Sequence, residues 1–166
     1  MNTSLDVRVE FLSEHMSVIP ALAEWFMEEW NPWYGINGPG DAELDLRESA
    51  AQGRLPLGVV ALGPANEVLG TAALKTESAG SDAAPGPWLA GLVVGKQFRL
   101  KGIGGKLIAT IEHEALQLGF DQLFTSTNTM TGLLISRGWQ EYGETDTLRG
   151  TAYIYRCDLG RSKGVK

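Results

Sequence analysis

The chain is poor in the residues that build disulfide frameworks and metal clusters. Its one cysteine, Cys157, stands alone among 166 residues, so no intramolecular disulfide forms and no cysteine-based zinc cluster assembles. It sits in the alternating run Thr151-Ala152-Tyr153-Ile154-Tyr155-Arg156-Cys157, which reads as a packed strand thiol rather than a nucleophile. Histidine is almost as scarce. His15 and His113 are far apart and isolated, so no metal is expected, and His113 reads as a solvated helix residue. No apolar run approaches the ~18 residues that cross a bilayer. The first residues, Met1-Asn2-Thr3-Ser4-Leu5-Asp6, lack the basic-then-apolar order of a secretory leader. Positive charge is short as well. The net charge of −6 disfavours nucleic acid and anionic membrane as partners and suits a small cationic substrate better. The expectation is a cytoplasmic protein.

What is present is ordinary for a globular domain, with 43% hydrophobic and 20% charged residues. The length suits one domain, expected over residues 1–160, with a disordered tail over 161–166. Val7 to Phe11 alternates as a first strand. Pro20 can open a helix whose apolar stripe is Ala21, Leu22, Trp25, Phe26 and Met27. Pro32 ends it near Trp30. A loop rich in Trp, Tyr and Gly runs from Asn31 to Gly40, and Asp41 then reads as the N-cap of a helix over Ala42 to Gln52. Leu57–Leu62 and Val68–Lys75 read as a hairpin, and a polar loop leads to the strand Trp88–Val94. Beyond residue 105, a helix over Lys106–Leu118 stops at Gly119. A strand Gln122–Thr127, a short helix Thr131–Arg137 and a hairpin of Trp139–Thr147 with Thr151–Asp158 follow. This order predicts a mixed α/β sheet covered by helices.

The most informative stretch is Phe98-Arg99-Leu100-Lys101-Gly102-Ile103-Gly104-Gly105-Lys106, a basic glycine turn between a buried strand and an amphipathic helix. Backbone N–H groups there can converge on one spot at the positive end of the helix dipole, where a phosphate or pyrophosphate binds. Two familiar phosphate loops are excluded. A Walker A loop needs Ser or Thr after Gly-Lys, and a dinucleotide fingerprint needs a third glycine; position 107 is Leu107 in both cases.

The order Trp88-Leu89-Ala90-Gly91-Leu92-Val93-Val94, Arg99-x-x-Gly102-x-Gly104-Gly105, helix, Leu123-Phe124-Thr125-Ser126-Thr127 and Ser136-Arg137-Gly138-Trp139 resembles the GNAT superfamily of N-acetyltransferases. Motif by motif the resemblance covers about residues 55–158. It implies a central, mostly antiparallel sheet of about seven strands, a parallel pair splayed at the coenzyme site, and helices on both faces. It also implies acetyl-CoA as donor. Backbone N–H groups of Leu100, Lys101, Gly102, Ile103, Gly104 and Gly105 would hold the pyrophosphate, with charge from Arg99, Lys101 and Lys106. The pantetheine arm would pair like an added strand along Leu92, Val93 and Val94. Gly91 hints at a bulge, or at close helix packing. In the superfamily such a bulge frees an N–H for the thioester carbonyl, and Leu92 is the candidate.

In the reaction that the resemblance implies, an amine attacks the thioester directly. An alkyl amine with a pKa near ~10.4 must first lose a proton, usually to a carboxylate. The strand Trp88–Val94 holds no acid, so the candidates are Glu77, Glu28 and Glu29. The family often places a tyrosine acid four residues before the Gly of the Gly-aromatic pair, and that position is Leu134 here. A thiol of pKa ~8.5 leaves as thiolate at a cost of only ~2 kcal/mol near neutrality, so the acid is not indispensable. Tyr142, Tyr153 and Tyr155 are possible substitutes, with at least one expected to pack in the sheet. Trp30, Trp33 and Tyr34, with Glu28, would line the acceptor side, although core packing competes for Trp30. The expected partner is a small-molecule amine, with a homodimer as a further possibility. A catalytically silent acyl-CoA-binding regulator and an enzyme acting on protein N-termini or lysines stay open as alternatives.

Overall fold

The computed structural model describes residues 6–160; the tail expected over 161–166 lies outside them. Seven strands form one sheet in the order β1-β2-β3-β4-β5-β7-β6. They are β1 Arg8–Phe11, β2 Leu57–Leu62, β3 Val68–Lys75, β4 Trp88–Val94, β5 Gln122–Thr127, β6 Gln140–Thr147 and β7 Gly150–Asp158. The helices are α1 Ile19–Glu29, α2 Ala42–Glu48, α3 Ile103–Gln117 and α4 Thr131–Ser136. All neighbouring strands run antiparallel except β4 and β5, which α3 connects as a parallel pair. Among the described residues, no helix is long and apolar enough to cross a membrane.

Apolar residues on both faces of the sheet explain the layering. On one face Ile103, Leu107, Ile108, Ile111 and Ala115 of α3 pack against Val59, Leu74, Leu89, Leu123 and Tyr155, all buried. On the other, Ile19, Leu22, Ala23 and Phe26 of α1, with Leu46 of α2, cover Val60, Leu62 and Val93. Between two helical layers β2 is buried along its whole length, so its sequence runs apolar without alternation. Cys157 is buried on β7 in the α3-side core.

One apolar stripe and two helix boundaries depart from expectation. The inward stripe of α1 is Ile19, Leu22, Ala23 and Phe26, so Ala21 and Met27 face outward. Helix α2 stops at Glu48, not at Gln52. The Ser49 carbonyl accepts the Gly58 N–H of β2 at 2.7 Å, which commits it to the sheet and not to a further helical turn. Helix α3 begins at Ile103, three residues before Lys106, because Gly102 at φ 82° forms its N-cap. Gly104 and Gly105 therefore belong to the first turn of the helix.

Candidate active site

The edge of β4 is the first component. Against β3, Val93 pairs with Thr71 and Ala90 with Ala73, so Gly91 and Leu92 together oppose the single residue Ala72. This is the bulge that Gly91 suggested. Gly91 has φ 63°, and a Cβ there would lie 3.3 Å from Phe26 Cζ. The left-handed backbone favours glycine, and the close approach of α1 leaves little room for a side chain. Beyond the bulge, the Gly95 N–H donates to Leu69 O at 2.9 Å. Alternation along the ladder then turns the polar groups of Val93 and Gly95 toward β3 and those of Leu92 and Val94 toward β5. Strand β5 does not receive them. Its register with β4 holds one pair, Trp88 with Phe124, supported by the Thr125 hydroxyl donating to Leu89 O at 2.7 Å. The two strands part above that point and leave a wedge.

The glycine turn lies at the wide end of this wedge. Leu100 takes φ 65° and is fully exposed, and Gly102 follows at φ 82°. Lys106 is the first residue of α3 whose N–H reaches back a helical turn, to Gly102 O at 3.2 Å. The N–H groups of Ile103, Gly104 and Gly105 have no such acceptor, and no side chain caps the helix. A Cβ on Gly105 would meet nothing within 4 Å, and one on Gly104 only Leu133 Cδ2 at 3.4 Å. Neither is held at a positive φ. Packing and backbone thus give no reason for two glycines where each costs about 1 kcal/mol of helix propensity against alanine. A phosphate approaching the bare backbone does give one. Lys101 and Lys106 are exposed beside the turn. Arg99 points the other way, its Nε donating to Val94 O at 2.9 Å and its Nη2 to Glu29 Oε1 at 3.2 Å.

On the opposite face of β4, the last turn of α1 borders a cavity of ≈ 90 Å³ beside Val93, Val94 and Gly95. Glu28 and Glu29 line it, and Glu28 lies 3.9 Å from Lys96 Nζ. Trp30 and Tyr34 are half-buried around Phe26, with ring centroids 5.0 Å and 5.5 Å from it. The Tyr34 hydroxyl donates to Asp45 Oδ2 at 2.5 Å. Burial and that carboxylate push the phenol well above its ordinary range, so it stays protonated. Tyr34 thus ties the end of α1 to α2, while Trp33 is 46% exposed. The tip of the β6–β7 hairpin reaches the same helix end, where Arg149 Nη1 donates to Glu29 O.

Residues 19–133 match the sequence model of the Acetyltransferase (GNAT) family. The chain belongs to this family. No curated protein matches its sequence. In fold it is similar to an aminoglycoside 6′-N-acetyltransferase solved with coenzyme A, at TM-score 0.73 and 14% identity, covering 92% of this chain and 96% of that one. A putative acetyltransferase from Salmonella typhimurium with acetyl-CoA gives TM-score 0.71 at 14% identity, covering 92% and 94%. N-acetylglutamate synthase from Neisseria gonorrhoeae, with coenzyme A and L-arginine, gives TM-score 0.65 at 21% identity over 95% of this chain and 34% of that one.

As a GNAT protein this chain departs from the usual pattern in the places its sequence indicated. Leu134 is wholly buried in the α3-side core, so the family's tyrosine position is a packing position here. Tyr142 is 48% exposed and sets its ring edge-on to Phe124 at 5.0 Å, at the closed end of the wedge. Tyr155 is buried in the core, and Tyr153 is 44% exposed. Glu77 is exposed past the end of β3, where Lys75 pairs with Trp88, at the opposite end of β4 from the glycine turn. Val94, Arg99, Glu28 and Glu29 thus line one cavity; Leu92 precedes it on β4, and Glu77 lies past the Trp88 end of that strand.

Two groupings escaped the sequence reading. Glu112 of α3 is buried, accepting from Arg137 Nη2 at 2.7 Å and from Trp139 Nε1 at 2.9 Å. The Arg137-Gly138-Trp139 motif therefore anchors α4 and β6 to the glycine helix. The signal was a glutamate inside an apolar helical stripe. His15 Nε2 lies 2.6 Å from Glu10 Oε1, and Glu14 is near enough for all three to offer atoms within 4.8 Å of one another. Arg8 Nε already donates to Glu10 at 2.9 Å.

Proposed function

We propose that this protein is an N-acetyltransferase that carries an acetyl group from acetyl-CoA to the primary amine of a small molecule. The observation that carries the reading is the wedge. A β4 edge that no strand pairs leads directly to an uncapped helix N-terminus whose glycines leave the backbone bare. The coenzyme's pyrophosphate would sit on the N–H groups of Leu100–Gly105, and its pantetheine amides would pair with Leu92 and Val94 as a strand does. When bound, acetyl-CoA supplies an acyl carbon activated as a thioester. Leu92, freed from β3 by the bulge, would donate its N–H to the oxygen on that carbon. The similar structures solved with coenzyme A or acetyl-CoA support this donor.

The acceptor side is bounded by α1 and the loop over Asn31–Gly40, where Glu28 and the exposed Trp33 ring suit a cationic body. The amine must arrive neutral at its attacking nitrogen. Glu28 at the cavity and Glu77 beyond Trp88 are the carboxylates proposed to take that proton. A pH–rate profile separates them: substitution of the true base by glutamine removes the rising limb, and the other change leaves it in place.

Two titrations test the reading. Calorimetry with coenzyme A should give saturable heat at tens of micromolar ligand, and no heat would remove the proposed donor. Thiol release from acetyl-CoA across a panel of small amines should rise with at least one of them. A silent binder would release none, and an enzyme for protein amines would respond to peptides alone.

A further inference from the structure

The Val94 carbonyl faces the wedge, where a strand partner would find it, yet it is not vacant: Arg99 Nε donates to it at 2.9 Å. The chain doubles back to make this bond. After β4 the Phe98 N–H closes a turn on Gly95 O at 2.8 Å, and Arg99 then lies beside the strand it has just left. The other end of the guanidinium rests on Glu29 Oε1 at 3.2 Å, a pair whose side chains are 44% and 31% exposed. Exposed pairs of this kind hold weakly. The cation that family resemblance would send to the phosphates is therefore parked on the edge that a pantetheine arm would use.

We propose that Arg99 is a placeholder: it satisfies the Val94 carbonyl and yields it to the pantetheine amide as coenzyme A enters. This rests on the donor site argued above. The exchange is balanced in hydrogen bonds, because the carbonyl trades one N–H donor for another. The guanidinium leaves Glu29 and turns toward the glycine turn, one residue away along the chain, where the phosphates bring negative charge. The phosphates thereby open the strand edge, and a ligand without them must displace Arg99 with no compensating contact. Arg99 is in this sense a specificity-determining residue that favours the whole coenzyme over its pantetheine fragment.

Calorimetry on the full chain, with coenzyme A and with pantetheine as separate probes, tests this in the wild type, Arg99→Ala and Arg99→Lys. Removing the competing donor should tighten pantetheine binding about fivefold in both variants, the worth of one net hydrogen bond. In Arg99→Ala the affinity ratio of coenzyme A to pantetheine should fall about tenfold or more, since phosphate contact is lost as well. Arg99→Lys keeps the charge on a shorter side chain with a single nitrogen, which does not span the carbonyl and the carboxylate as Nε and Nη2 do, and should retain most of the coenzyme A affinity. It also tests the idea should the alanine variant fold poorly. Pantetheine binding that is unchanged, weaker or unmeasurable in Arg99→Lys overturns the placeholder. A wild type that binds pantetheine no more weakly than coenzyme A does the same. If the wild type binds no coenzyme A, the donor reading itself falls.

Discussion

At Gly91 a single missing methyl group meets two demands. The bulge needs a left-handed residue, and α1 needs room for the Phe26 ring. Gly91→Ala should lower stability by about 1–2 kcal/mol from the backbone alone, measured as an earlier urea midpoint. If Leu92 is the oxygen donor, acetyl transfer should fall further than stability does. Glu10 gives a residue-scale prediction of a different kind. Hydrogen bonds from Arg8 and His15 hold its carboxyl below the ordinary 4.5. A depressed carboxyl binds fewer protons folded than unfolded, so its contribution is present above 4.5 and fades as pH falls through the folded value. Glu10→Gln should therefore melt below the wild type at neutrality, with the gap closing in acid. A gap that widens in acid would reverse the assignment.

Among the elements, α3 carries the clearest conflict between stability and binding. Gly105→Ala places a methyl group in open space and improves helix propensity by up to about 1 kcal/mol. The same methyl covers the N–H groups proposed for the pyrophosphate. Thermal melting should rise while coenzyme A affinity falls, and a variant that gains in both would detach the glycines from phosphate binding. At the far end of the helix, Glu112→Gln leaves Arg137 without its counter-charge. Glu112 is buried but Arg137 is 29% exposed, so the loss should be about 2–3 kcal/mol, below that of a fully buried pair. The strands were legible because their runs are bounded by glycine, proline and polar loops; β2 to β5 take the expected bounds, and β2 and β4 begin and end on apolar residues. Helix ends were less legible. The stop of α2 depends on Gly58, nine residues after Ser49, and the start of α3 on a backbone angle at Gly102. The donor half of the candidate site was readable since backbone and glycine make it. The partners of Glu29 and Glu112 come from distant segments that no local pattern connects.

At the scale of the whole molecule, the sheet is two leaves, β1–β4 and β5–β7, hinged near Trp88 and Phe124. Hydrogen exchange should map the division. Without ligand the Leu92 and Val94 amides should exchange faster than those of Val93 and Gly95, which face β3. Added coenzyme A should slow Leu92 and Val94 first. Equal protection of all four amides beforehand would mean that the wedge is closed in solution. Arg149 spans the same division from the hairpin tip to the end of α1.

The wedge has a consequence for the lifetime of the protein. The proposed partner lying along Leu92 and Val94 would act as an additional strand, so its binding and the folding of the chain would be linked equilibria. Free ligand at a hundred times its dissociation constant adds about 2.7 kcal/mol to the folded state, comparable to the whole Glu112 network. Abundance of the protein would then follow the supply of its own donor. A shortage of the proposed donor would withdraw that stabilisation and enlarge the unfolded fraction open to proteolysis.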